Sequence, residues 1–129
     1  MSHQFPLTPA WVKAWDGARV GVRVRAEEAA EGSGMACSVL YPHDMDIREC
    51  IGCYQCFNTG SCIYDDDMTG IIGRVSRCRL LVICTPVYTN TVPGNLKLLI
   101  DRFQACHAAQ TLGMADARKR SGIILSVAG

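Results

Sequence analysis

An α/β fold built on a mostly parallel sheet is what this sequence predicts, and three observations predict it. From Met35 onward, short apolar runs alternate with segments whose apolar residues fall at helical spacing. Residues 80–84, LLVIC, form a nearly continuous apolar run, as expected of a strand covered on both faces. The length of 129 residues with 49% hydrophobic side chains suits one domain around one core and is too short for two ordinary ones.

Taken in order, Thr8 followed by Pro9 is an N-cap and first-turn signal. It predicts a short helix with Trp11, Val12 and Trp15 as its apolar stripe, ending at Asp16 and Gly17. Residues 18–25 alternate, with Val20, Val22 and Val24 on one face and Arg19, Arg23 and Arg25 on the other. That pattern predicts an edge strand with one wet face, poorly suited to a sheet centre, its arginine row serving solubility and blocking edge pairing rather than binding phosphate. A helical turn is expected over residues 27–31, broken by Gly32-Ser33-Gly34, and residues 35–41 read as a short buried strand that ends at Pro42.

Asp65, Asp66 and Asp67 precede Met68, Ile71, Ile72 and Val75, which mark the buried stripe of a helix. The three acids favour the helix dipole, and without further oxygen ligands they read as caps or solvated charge rather than a metal site. The strand over residues 80–84 ends at Thr85-Pro86. Pro93 suits the first turn of a helix whose apolar face is Leu96, Leu99, Ile100 and Phe103. Polar and basic residues follow to Arg120, and residues 123–127 predict a last strand.

A formal net charge of +1 sets up no global field that would draw the chain to nucleic acid or to an anionic membrane. No window reaches the length of a membrane span, and the opening MSHQFPLTPAW lacks the order of a signal peptide, so a cytoplasmic protein is expected. Eight cysteines in a reducing compartment point to metal binding or redox chemistry rather than to a disulfide framework.

Four of them are clustered. Cys50, Cys53, Cys56 and Cys62 read C-x2-C-x2-C-x5-C, with Gly52 and Gly60 letting the backbone curl around a common centre. Four thiolates on one short loop is how a 4Fe-4S cluster is held, since each iron takes one sulfur from the protein. A ferredoxin run places its fourth cysteine three residues on, followed by proline; here five residues intervene and Ile63 follows. Structural zinc also takes four cysteines, but usually as two separated pairs, and unliganded thiols are the remaining alternative. Cys37, Cys78, Cys84 and Cys106 lack such spacing and are expected in the core as small hydrophobes.

Ligands of open α/β sheets sit beyond the carboxyl ends of strands, and Thr85-Pro86-Val87-Tyr88 occupies that position after LLVIC. A proline-stiffened turn exposes backbone groups in fixed directions, and Tyr88 offers a ring face, making this a candidate flavin edge; core or rim packing is the commoner role for such an aromatic.

Together, CIGCYQCFNTGSCIYDDDM and TPVYTNTVPGNLKLLIDRF, with their separation, resemble the iron-sulfur flavoproteins, a branch of the flavodoxin-like NADPH-dependent FMN reductases. The resemblance runs from Cys50 to Phe103. It implies a flavodoxin-like three-layer sandwich, FMN seated at the strand ends, a 4Fe-4S cluster on Cys50, Cys53, Cys56 and Cys62, and homodimers or homotetramers that bring the two together. By the same resemblance Thr85, Pro86, Val87 and Tyr88 approach the isoalloxazine, with Asn90, Ala128 and Gly129 as further candidates for that pocket. Lys97, Asp101 and Arg102 match the family's helix, where an ion pair is implied rather than catalysis.

The chain also departs from the pattern. Relatives open with a strand and a loop whose amides and hydroxyls hold the FMN phosphate. Nothing in residues 1–49 matches it, and Gly32-Ser33-Gly34 precedes a strand instead of following one. Relatives also continue beyond the strand that ends here at Gly129. The sheet is therefore expected to be abbreviated at both ends, with a divergent part over residues 1–49, the cysteine loop over 50–67 and a flavin-side half over 68–129. Edges left by a short sheet favour covering by another chain.

Three functions follow: an oxidoreductase or electron-transfer protein passing electrons between FMN and the cluster; a cluster-free NAD(P)H-dependent FMN or quinone reductase; or a non-catalytic remnant that binds zinc or nothing. The expected electron donor is NAD(P)H or a ferredoxin-like protein.

Overall fold

The computed structural model describes residues 10–13, 31–115 and 119–127. Among these residues four strands form one sheet: β1 (Ala10–Lys13), β2 (Ser38–Leu40), β3 (Leu80–Pro86) and β4 (Ser121–Val127). All pair in parallel, in the order β2-β1-β3-β4. β1 matches Trp11 with Val39 on one side and with Val82 on the other, and β3 aligns with β4 from Leu80 opposite Ser121 to Pro86 opposite Val127. From β1 the chain steps outward to β2 and then crosses back to β3 on the far side. This reversal makes the crevice between β1 and β3 a topological switch point, where ligands of open sheets bind at the carboxyl edge.

The helix expected around Trp11 is instead β1, and the centre of the sheet is occupied by a piece of the N-terminal region. A cap signal such as Thr8-Pro9 contributes only about 1 kcal/mol, whereas β1 has a hydrogen-bonded neighbour on both sides. Tertiary pairing overrides the local propensity. The edge strand expected over residues 18–25 lies outside the described residues.

Among the described residues, the sheet is accompanied by α1 (Cys56–Thr59), α2 (Asp67–Arg77), α3 (Gly94–Arg102) and α4 (Gln104–Thr111). None is long and apolar enough to cross a membrane. α2 follows the expected periodicity, and α3 follows it at Leu96 and Leu99. Pro93 stands one place earlier than expected, as the N-cap of α3 with extended backbone. The sequence pattern did not announce α4, because its buried contacts are Ala105 and Ala108, whose small side chains barely register in a hydrophobic stripe.

Packing follows the alternation of β3. Leu81 and Ile83 lie against the main core of Leu40, Met68, Ile71, Leu96 and Leu99, while Leu80 and Cys84 join Cys37, Val39 and Leu125 around Val82 on the other face. Of the unclustered cysteines, Cys78 is buried and Cys37, Cys84 and Cys106 are partly buried. Ile100 departs from the expected apolar face of α3. It is 43% exposed, next to Leu99 at 1%.

That contrast is testable by urea denaturation. Leu99→Ala should cost about 2–5 kcal/mol, the usual range for emptying a packed aliphatic site, and Ile100→Ala no more than about 0.5–1 kcal/mol, as for an exposed position.

Candidate cofactor site

Two loops leave the carboxyl ends of parallel strands that flank β1, so both emerge along the same edge of the sheet. The first joins β2 to α2 and carries the four clustered cysteines. Its descending part is tied to the start of α2. The Asp46 N–H donates to Asp67 Oδ2 (2.8 Å), the Asp67 N–H to the Asp46 carbonyl (3.1 Å), and the Arg48 N–H to Asp66 Oδ2 (3.0 Å).

Beyond Arg48 the loop turns on residues with positive φ: Gly52 (65°), Tyr54 (58°) and Gly60 (75°). Tyr54 pays conformational energy there, which sites with functional geometry tend to retain. α1 follows and closes with the Gly60 N–H donating to the Cys56 carbonyl (2.8 Å). It docks on α4 through an edge-to-face pair of Phe57 and His107, with centroids 6.0 Å apart. Gly60 suits this turn because its φ of 75° favours glycine.

The outcome is that Cys50, Cys53, Cys56 and Cys62 all line one cavity of about 460 Å³. Cys50 and Cys53 are exposed, Cys56 and Cys62 are partly buried, and none is in a disulfide. Among the described residues, no group of three or more His, Cys, Asp or Glu side chains converges tightly enough to grip a single ion. Four thiols lining one cavity are a donor set that fits an iron-sulfur cluster. Ile100 lines the same cavity, which accounts for its exposure on α3.

Arg102 forms another part of the wall. Its side chain and that of Asp66 are 1% and 0% exposed. Nη1 donates to Asp66 Oδ2 (2.6 Å) and to the Arg48 carbonyl (2.6 Å), and Nη2 donates to Asp66 Oδ1 (3.0 Å). Asp66 also caps α2 by accepting from the Met68 N–H (3.1 Å). Tyr64 packs against two guanidinium groups, with Arg102 5.2 Å and Arg48 5.4 Å from its ring centroid. Burial opposes ionisation of Asp66, but Arg102 and the Arg48 and Met68 N–H groups outweigh it and hold the carboxyl below its ordinary 3.8. Burial likewise opposes the charge on Arg102, yet Asp66 and the Cys62 sulfur raise its pKa above the ordinary value.

The ion pair implied on the family's helix is in fact two. Lys97 and Asp101 make an exposed i, i+4 pair, whereas Arg102 reaches Asp66, 36 residues away. The aspartate triplet signalled a cap, and Asp66 is one, but no spacing announced its partner.

The second loop follows β3. Thr85 and Pro86 are buried, the Thr85 hydroxyl donating to the Pro86 carbonyl (3.0 Å), while Val87 and Tyr88 are 37% and 44% exposed. Tyr88 and Thr91 exchange backbone hydrogen bonds (2.8 and 2.9 Å) across a two-residue turn in which Thr89 and Asn90 have φ of 45° and 64°. A β-branched residue in that region is an outlier. The expected flavin edge is therefore a hydrogen-bonded turn with an exposed tyrosine, and it stands at the carboxyl end of a strand beside the switch point. Ala128 and Gly129 lie outside the described residues.

A sequence model described as NADPH-dependent FMN reductase matches residues 21–129. The chain belongs to that family. Its relatives include an iron-sulfur flavoprotein of Archaeoglobus fulgidus, 35% identical over 81 residues, covering 63% of this chain and 39% of that protein. An iron-sulfur flavoprotein of Methanocaldococcus jannaschii is 34% identical over 77 residues, covering 60% and 40%. These matches span about two fifths of the relatives' length. Among solved structures, a flavone reductase superposes with a TM-score of 0.66 at 14% identity, covering 95% of this chain and 43% of the other. The Trp repressor binding protein of Bacillus subtilis gives 0.54 at 22% identity, covering 95% and 64%. The fold is flavodoxin-like, as the resemblance implied.

The buried pair makes a firm prediction. Asp66→Ala strands Arg102 without its counter-ion and should cost about 3–5 kcal/mol. Because the native Asp66 pKa is depressed, its stabilisation is complete above the unfolded value of 3.8 and is lost as pH falls through the lower native value. Unfolding followed from pH 6 down to about pH 2 should show that loss in the parent chain and a shallower one in Asp66→Asn.

Proposed function

We propose that this protein is an FMN-dependent oxidoreductase of the iron-sulfur flavoprotein type, in which Cys50, Cys53, Cys56 and Cys62 hold a 4Fe-4S cluster and the loop after β3 contacts FMN. The observation that carries the reading is the single cavity lined by all four thiols. When bound, FMN supplies two-electron chemistry and the cluster one-electron transfer. The chain's part is to bind, orient and shield. Each cysteine offers one thiolate, the neighbouring Ile51, Tyr54, Ile63 and Ile100 provide an apolar surround, and Tyr88 presents a ring face beside the proline-stiffened end of β3.

Family membership supports FMN as the flavin, and the names of the archaeal relatives support the cluster. Both loops leave the same edge of the sheet, so a second copy of the chain, as homodimer or homotetramer, could join cluster and flavin sites. NAD(P)H, or a ferredoxin-like protein, is the proposed electron donor.

Anaerobic purification with an absorption spectrum and analysis of iron, sulfide and FMN tests the reading. A brown protein with about four irons per chain is expected. Replacing any one of the four cysteines with serine should remove most of that iron; unchanged iron would overturn the assignment. FMN without iron would instead indicate a cluster-free flavin or quinone reductase, and neither cofactor would indicate a remnant. Tyr88→Ala should weaken FMN binding roughly 2- to 10-fold by flavin fluorescence titration, the worth of an aromatic stacking contact.

A further inference from the structure

Arg102 holds more hydrogen-bonding capacity than its ion pair uses. Nη1 and Nη2 are committed to Asp66 and to the Arg48 carbonyl, while Nε is buried and has no partner among the described residues. A buried donor left unpaired costs about 1–3 kcal/mol, so it calls for an acceptor. Arg102 is 2% exposed and lines the cavity of the four cysteines; its polar neighbours are Asp66 and the Cys62 sulfur. A thiol is a weak acceptor, but a thiolate ligating iron is a strong, charged one. Asp66 does not line that cavity. The pair is thus oriented, with its positive member on the cavity wall and its negative member behind.

We propose that Arg102 sets the reduction potential of the metal group held by the four cysteines, by presenting a fixed positive charge and an N–H donor to the Cys62 side of the cavity, with Asp66 as its positioning residue. The inference rests on the cluster reading above. Uptake of one electron adds one negative charge inside the cavity, and a buried guanidinium on the wall favours that state. Hydrogen bonds to cluster sulfurs and local charge are the levers by which proteins move such potentials.

The test uses the full chain, reconstituted anaerobically with iron and sulfide, and titrated with dithionite while the cluster is followed by electron paramagnetic resonance. The double variant Asp66→Asn with Arg102→Gln removes both charges together, avoiding a stranded one. It should retain its iron and be harder to reduce by at least about tenfold in equilibrium constant, 59 mV for one electron. If the double variant keeps no iron, the potential is read on Arg102→Lys instead. Full iron loading with a potential unchanged within about twofold in equilibrium constant would overturn it. If the double variant does not fold, Arg102→Lys decides: it keeps the charge but lacks Nε, and should shift the potential in the same direction, whereas no shift overturns the proposal. A parent chain that takes up no iron would refute the cluster reading itself, a result distinct from all of these.

Discussion

The Asp66–Arg102 pair joins three segments that are remote in sequence. Asp66 caps α2, Arg102 ends α3, and the Arg48 backbone of the cysteine loop is bound to both, its N–H to the carboxylate and its carbonyl to the guanidinium. Each charge also faces the favourable end of its own helix dipole, the carboxylate at an N-terminus and the guanidinium at a C-terminus. Two buried charges would ordinarily cost more in lost hydration than their attraction returns. Here the bidentate geometry, the two N–H groups on Asp66 and the carbonyl on Arg102 satisfy most of their capacity, and the cysteine loop is the segment so held in register.

Around that anchor the structure separates rigid support from loops that bear chemistry. Parallel strands and the Met68, Ile71, Leu96 and Leu99 core fix where β2 and β3 end. The cysteine loop and the proposed flavin contact lie beyond those ends, with Ile100 and Arg102 of α3 completing the cavity wall. Backbone outliers concentrate there as well, at Tyr54 in the cysteine loop and at Thr89 and Asn90 after β3. The apolar side chains exposed around the thiols follow the same division: Ile51, Tyr54, Ile63 and Ile100 stay out of the core because they surround a cavity. A hydrophobic border of this kind limits water access and lowers the local dielectric, which controls cluster potentials.

Two elements show where local reading yields to context. Thr8 and Pro9 carry a sound helix-start signal, yet Ala10–Lys13 is the strand between β2 and β3. The competing term is a ladder on each side, which a one-dimensional pattern does not display. α4 was missed for the opposite reason. Its buried face is made of Ala105 and Ala108, which pack helices closely but contribute little to a periodic hydrophobic signal.

The sequence by itself determined the α/β alternation, the buried stripes of α2 and α3, the strands after Arg79 and Arg120, and the cysteine loop with its glycine turns. Each rests on spacing within a few residues, because periodicity, capping and turn preferences are properties of neighbours along the chain. Only the tertiary structure decided that β1 is central, that Ile100 opens onto a cavity while Leu99 is buried, and that Arg102 pairs with Asp66 instead of Asp101. Those outcomes depend on which segments meet after the crossover from β2 to β3. A salt bridge spanning 36 residues leaves no trace in spacing, since its energy comes from burial and geometry that exist only once the chain has folded.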